Sequence, residues 1–185
     1  MARYVNWYWD GWKMKTVLNE KGRKKRIFVY EGEYYSFNLA PRSLMLLKAI
    51  YLILTAALFT VFILSSIVGA PSGEAFYSGG PAMLTIIPFI YLFMGVFSLI
   101  PVKEKMTYRS YYASMKRIKY STRFAIAFLA ASVIGQIVFL ALNRLNGQLW
   151  PELWRLFGSL FCIAVLGAMF YLRHRFPANM INSSE

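Results

Sequence analysis

The chain contains one cysteine and one histidine among 185 residues. Cys162 alone forms no intrachain disulfide, and with His174 it cannot assemble a multi-ligand metal site. Acidic residues are scarce too, eight Asp and Glu against 21 Lys and Arg. No Ser-His-Asp set, no HExxH and no glycine-rich phosphate loop is present. No catalytic residue, metal or cofactor is therefore expected, and the sequence argues against an enzyme. Charged residues of every kind make up only 16%, against about 25% in soluble domains. Hydrophobic residues reach 58%, which excludes a disordered chain, a collagen-like repeat or a disulfide scaffold.

What the chain has in place of charge is long apolar runs. They extend from Ala49 to Ala70, Pro81 to Val102, Phe124 to Asn143 and Leu156 to Leu172. Each approaches the length a helix needs to cross a hydrocarbon layer of about 30 Å. They are apolar all round, with no hydrophilic face to turn to water. The expected fold is an all-α integral membrane protein with four transmembrane helices, at about 44–69, 82–101, 124–143 and 154–172.

The charges order these spans. Residues 1–42 carry nine Lys and Arg, 71–80 none, and 103–123 seven. The next connection and the start of the fourth helix hold Arg144 and Arg155, and the far end Arg173 and Arg175. By the positive-inside rule, both termini are cytoplasmic, in a cell membrane. The net charge of +13 then resides wholly on the inner side, since Glu74 and Glu152 balance Arg144 and Arg155 outside. The first apolar run starts too late for a cleaved leader, so it is read as a retained anchor. Asn182-Ser183-Ser184 matches a glycosylation sequon but falls on the inner side.

The chain divides into an N-terminal segment (1–42), a transmembrane domain (43–175) and a short tail (176–185). Residues 12–37 read as a β-hairpin: Trp12–Leu18 and Arg26–Tyr30 are β-prone, and Asn19-Glu20-Lys21-Gly22 supplies the turn. Ahead of it, Trp7-Tyr8-Trp9 suits interfacial anchoring or partner docking. Arg23, Lys24, Lys25 and Arg26 form a cluster that attracts anionic headgroups. In the loop 103–123, Tyr108, Tyr111, Tyr112, Met115 and Ile118 recur at helical spacing. Arg109, Lys116 and Lys119 fall largely opposite, with Arg117 and Tyr120 blurring the pattern. This helix is expected to lie amphipathically in the interface or to extend the third span inward. Thr107 is its candidate start.

The spans themselves offer little chemistry. Lys48 sits a turn inside the first, within reach of the surface by snorkelling. No Asp, Glu or His lies mid-span, which weighs against a proton-coupled carrier. Cys162 reads as a small apolar packing residue. Pro81 is expected to open the second helix as its first residue. Ala127, Ala131 and Gly135 form a small-residue stripe suited to close helix packing or a homo-oligomer seam. Thr60, Pro88, Gln136 and Ser159 define a polar level slightly outside the midplane. Pro88 frees the Leu84 carbonyl, and the Gln136 amide is the expected donor to it.

These readings lead to a non-catalytic accessory, scaffolding or regulatory protein. Its working surface would be the basic, aromatic cytoplasmic face, formed by Arg23–Arg26 with Arg109, Lys116, Arg117 and Lys119. Expected partners are anionic lipid and either another protein or a second copy, not nucleic acid. The alternative is a small oligomeric channel or transporter using the Gln136 level.

Overall fold

A computed structural model of the protein describes residues 12–18, 24–30, 32, 34–102, 105–142 and 149–181. The Trp7–Trp9 cluster, the hairpin turn 19–22, Arg23 and the sequon lie outside these residues. Eleven elements follow in order: β1 (Trp12–Leu18), β2 (Lys24–Tyr30), β3 (Tyr34–Phe37), α1 (Pro41–Ile67), α2 (Phe76–Leu84), α3 (Ile86–Leu99), β4 (Lys105–Thr107), α4 (Tyr108–Tyr111), α5 (Arg117–Leu142), α6 (Leu149–Arg175) and β5 (Ala178–Ile181). A 3₁₀ turn at Pro71–Gly73 precedes α2, and a π-helical stretch at Tyr112–Lys116 joins α4 to α5.

Four helices are long and apolar enough to cross a membrane: Pro41–Ile67, Phe76–Leu99, Tyr108–Leu142 and Leu149–Arg175. Only 22–39% of their most apolar stretches is buried inside the protein. Ile53, Ile67, Ile87, Phe124, Ile134 and Phe157 point outward and are exposed. A soluble monomer does not present apolar faces of this extent. A hydrocarbon solvent suits them, as in a multi-pass membrane protein.

The core lies where α1, α3, α5 and α6 converge, with Tyr51, Leu58, Phe89, Leu92, Leu129, Leu166 and Met169 fully enclosed. Small residues set how closely the helices approach. Gly158 of α6 faces Ser65 of α1, where a Cβ would come 2.5 Å from the serine Cβ. One turn further, the buried Cys162 thiol lies 3.8 Å from the Leu58 carbonyl. The Tyr51 hydroxyl donates to the Met169 carbonyl at 3.3 Å along the same contact.

The second span differs from expectation at its start. Ser78-Gly79-Gly80-Pro81 is helical, and Pro81 lies inside α2 rather than opening it. The ring there removes only the hydrogen bond to the Tyr77 carbonyl, four residues back. Gly135 of α5 packs against that carbonyl so closely that a Cβ would overlap its oxygen. Pro88 has a larger effect, because the helix breaks at Thr85. The Thr85 N–H turns back to the Pro81 and Ala82 carbonyls, both at 3.2 Å, and its hydroxyl donates to Pro81 at 3.0 Å. Where the chain leaves α3, the Lys48 ammonium donates to the Ile100 carbonyl at 3.0 Å and to the Val102 carbonyl. This lysine thus caps a neighbouring helix C-terminus, with the favourable sign for the helix dipole.

The loop helix runs directly into the third span through the π-helical stretch, the second of the two arrangements expected. Tyr111 packs against the core and Met115 and Ile118 lie within it, while Tyr112 turns outward. The hairpin strands pair antiparallel from Trp12↔Tyr30 to Leu18↔Lys24. Residues 34–37 belong to a second sheet, of order β4-β3-β5. Tyr35 at its centre faces Met106 on one side and Met180 on the other. The segments before α1, before α4 and after α6 are thereby tied together at one end of the bundle.

The close approach at Gly135 has a measurable consequence. Gly135→Ala should lower stability by about 1–3 kcal/mol through overpacking, outweighing the helix-propensity gain of about 1 kcal/mol. Gly167→Ala is the control, because nothing lies within 4 Å of its Cβ position. Thermal unfolding of the detergent-solubilised protein should show a lowered midpoint for the first variant only.

Candidate functional site

The sheet end carries a basin of tyrosines and cations. Thr107 ends β4 and caps the third span, its hydroxyl accepting from the Ser110 N–H at 3.4 Å. Tyr108, Arg109, Tyr112, Lys116, Arg117 and Tyr120 then line a depression of about 730 Å³. Lys116 Nζ donates to the Tyr108 hydroxyl at 3.3 Å. It also lies 5.2 Å from the Tyr108 ring centre and 5.1 Å from that of Tyr112. The Arg117 guanidinium stands 5.9 Å from the Tyr91 ring, and Lys119 is as far from Tyr120. Tyr35 of the sheet stacks on Tyr111 at 4.2 Å, with ring planes 2° apart. That stack seats the helix start on the sheet.

Of the cations read from the sequence, Arg109, Lys116 and Arg117 share this basin and Lys119 adjoins it. Lys24, Lys25 and Arg26 are on β2, opposite Leu18, Val17 and Thr16, towards the turn end of the hairpin. Arg26 is exposed there. Arg23 lies outside the described residues.

The opposite end holds buried polar groups instead. Glu152 and Arg155, in the first turns of α6, are 1% and 9% exposed. The Glu152 carboxylate accepts from the Ser72 N–H at 2.6 Å. Arg155 Nη1 meets the Ser72 hydroxyl at 3.3 Å. Ser72 therefore bridges a carboxylate and a guanidinium from the 3₁₀ turn. Nearby, the Ser132 hydroxyl of α5 donates to the Ser78 carbonyl at 2.9 Å. Ser78 Oγ, Gln136 Nε2, Gln136 Oε1 and Glu152 Oε2 in this region are buried without a partner among the described residues. A cavity of about 550 Å³ adjoins the layer, with Arg155, Ser159, Ser65, Ser66 and Glu74 on its wall.

The sequence places Glu152 and Arg155 together at the outer end but does not show their burial or their bridge through Ser72. The signal was present in the spacing, since residues three apart share a helix face. An acidic residue in the first turn also suits the helix dipole.

The expected polar level does not come together. Thr60 is exposed, Ser159 lines the cavity just described, and Pro88 lines a separate groove between α3 and α5. Gln136 is fully buried but does not donate to the Leu84 carbonyl. The cause is the early start of the second span. Ser132 sits level with Ser78, so Gln136 lies beyond it on one side and Leu84 on the other. At 1.5 Å per residue these offsets place them roughly 15 Å apart along the bundle. The small-residue stripe also divides: Gly135 is buried, whereas Ala127 and Ala131 face outward.

Removing one member of the bridged pair leaves the other buried without its counter-charge, at a cost of about 3–5 kcal/mol. Glu152→Gln and Arg155→Met should each lower the unfolding midpoint in detergent. The double variant should lose clearly less than the two singles added together, which a double-mutant cycle measures directly.

No family model matches the chain, and no curated protein or solved structure is significantly similar to it.

Proposed function

We propose that this is a non-catalytic membrane protein of four spans with both termini cytoplasmic. In this reading it serves as an accessory, scaffolding or regulatory subunit of the cell membrane, and its sheet end is the working surface. The supporting observation is the β4-β3-β5 sheet. It joins three separate chain segments at the end where the basic residues concentrate, which makes that end a folded platform rather than a set of loops. Tyr112 and Tyr120 stand 53% and 51% exposed on it. Aromatic side chains with a polar tip are favoured anchors at interfaces. The orientation follows from the charge, because the opposite topology would carry the basin and the hairpin cations outward against the positive-inside rule.

Orientation and partnership are tested separately. The only native cysteine is buried, so an introduced thiol reports with little background. A membrane-impermeant maleimide should label Glu74→Cys in intact cells and Arg26→Cys only after permeabilisation. Reversed labelling overturns the topology. For the partner, affinity purification from the native membrane should yield a stoichiometric companion, or a second copy, that is lost from Tyr112→Ala/Tyr120→Ala. A lone monomer under these conditions overturns the accessory role.

One observation favours a second reading, a small polar site open to the outside. The unpartnered Gln136, Ser78 and Glu152 atoms have the hydrogen-bonding capacity to hold water or a small polar solute. They lie within one bundle, so this reading places a solute inside a protomer rather than at a seam between copies. Liposome flux abolished by Gln136→Leu would favour it over the accessory role.

A further inference from the structure

A groove of about 490 Å³ runs between α3 and α5 and shares Lys116 and Arg117 with the tyrosine basin. Pro88 and Tyr91 form one wall, and Phe124 and Phe128 the other. Its two ends differ in chemistry. The wall from Pro88 to Phe128 offers apolar and aromatic carbon, while the basin end offers an ammonium and a guanidinium. Among the described residues neither cation has a carboxylate partner. Lys116 meets only a phenol oxygen and two rings, and Arg117 the ring of Tyr91. The backbone departs from regular helix on both walls. The break at Thr85 lies beside the first, and the π-helical stretch Tyr112–Lys116 leads into the second. Lys116 and Arg117, at the end of that wider turn, both line the groove. π-Helical turns recur at functional sites.

We propose that this groove binds one anionic phospholipid, with an acyl chain along Pro88, Tyr91, Phe124 and Phe128 and the phosphate on Lys116 and Arg117. The dimensions fit a lipid rather than a soluble anion. Lys116 to Phe128 spans roughly 18 Å of helix, about one leaflet of a layer roughly 30 Å thick together with its headgroup margin. A free phosphate would use the cations and leave the apolar wall empty. An uncharged chain would use the wall and leave both cations uncompensated. Each cation near an anionic headgroup strengthens binding by about a factor of five, so the pair sets a preference for anionic over zwitterionic lipid. The site rests on the reading of these helices as membrane spans. It does not depend on which side of the membrane the basin faces.

Native mass spectrometry of the full-length protein in detergent, with added phosphatidylglycerol or phosphatidylcholine, tests this directly. The expected result is one tightly retained phosphatidylglycerol per protomer and weaker phosphatidylcholine. Lys116→Gln/Arg117→Gln should weaken phosphatidylglycerol roughly ten- to thirty-fold, to the level of phosphatidylcholine. Phe128→Trp, which fills the wall without touching charge, should weaken both lipids, and Arg26→Gln should weaken neither. Unchanged unfolding midpoints show that the variants are folded. Equal retention of the two lipids, or phosphatidylglycerol binding that survives the double substitution, overturns the proposal. So does displacement by glycerol phosphate alone, which would identify a headgroup site without an acyl groove, or displacement by a co-purified protein helix seated in it. The assay is blind to sidedness, so reversed maleimide labelling would overturn the topology and leave this result standing.

Discussion

In hydrocarbon a peptide N–H or C=O left without a partner costs several kcal/mol. Several departures from regular helix among the described residues are accordingly met by a particular group. At the Thr85 break, the residue's own N–H and hydroxyl turn back on Pro81. Beyond α3, Lys48 reaches across from α1 to the Ile100 and Val102 carbonyls. The 3₁₀ turn gives its Ser72 N–H to Glu152, and the Ser78 carbonyl takes the Ser132 hydroxyl. These long-range bonds also fix which helices are neighbours. The chain's few polar side chains near the spans act largely as backbone partners, so a lysine that reads as a snorkelling residue does a second task as a helix cap.

The two ends of the bundle handle charge in opposite ways. At one end, the guanidinium of Arg155 and the carboxylate of Glu152 are drawn inside and joined through one serine. Their charges cancel locally, and a buried pair of this kind orders the connection rather than adding net stability. At the other, Lys116 and Arg117 face, among the described residues, a phenol oxygen and aromatic rings. Aromatic faces attract cations without neutralising them. These two cations therefore stay available to an external anion.

The spans were legible because composition alone dictates them: an uncharged run of about twenty residues has one stable form in lipid. Their starts were less so. Ser78-Gly79-Gly80-Pro81 has the chemistry of a turn, but Gly79 is needed where α2 presses on the Gly73 carbonyl, and tertiary packing overrides the local preference. That one shift moved Gln136 away from Leu84 and dissolved the expected polar level. The β4-β3-β5 sheet was not legible at all. Its strands have three or four residues each and pair across distances of about 70 and 145 positions, so no local alternation announces them. Lys116 and Arg117 were legible as cations of a basic surface, but the groove beneath them depends on the rotation of α3 against α5, which no single helix encodes.

Lipid tails are as apolar as leucine, so burying apolar surface gives these helices little reason to associate. Close approach and interhelical bonds must hold them, and both concentrate on particular pairs. Gly158 and Cys162 seat α6 on α1, while Gly135 and Ser132 seat α5 on α2. Gly95 seats α3 on the start of α5 at Ile118, and beside that contact lies the groove lined by Pro88, Tyr91, Phe124 and Phe128. That face also keeps Tyr91, Phe124 and Tyr120 largely uncovered. A ligand that fills this groove would add to the contact between α3 and α5 just below the platform. Occupancy of the groove would then bear on the geometry of the sheet end, because the same third span carries Lys116 and Arg117 and, through Tyr111, the stack on Tyr35.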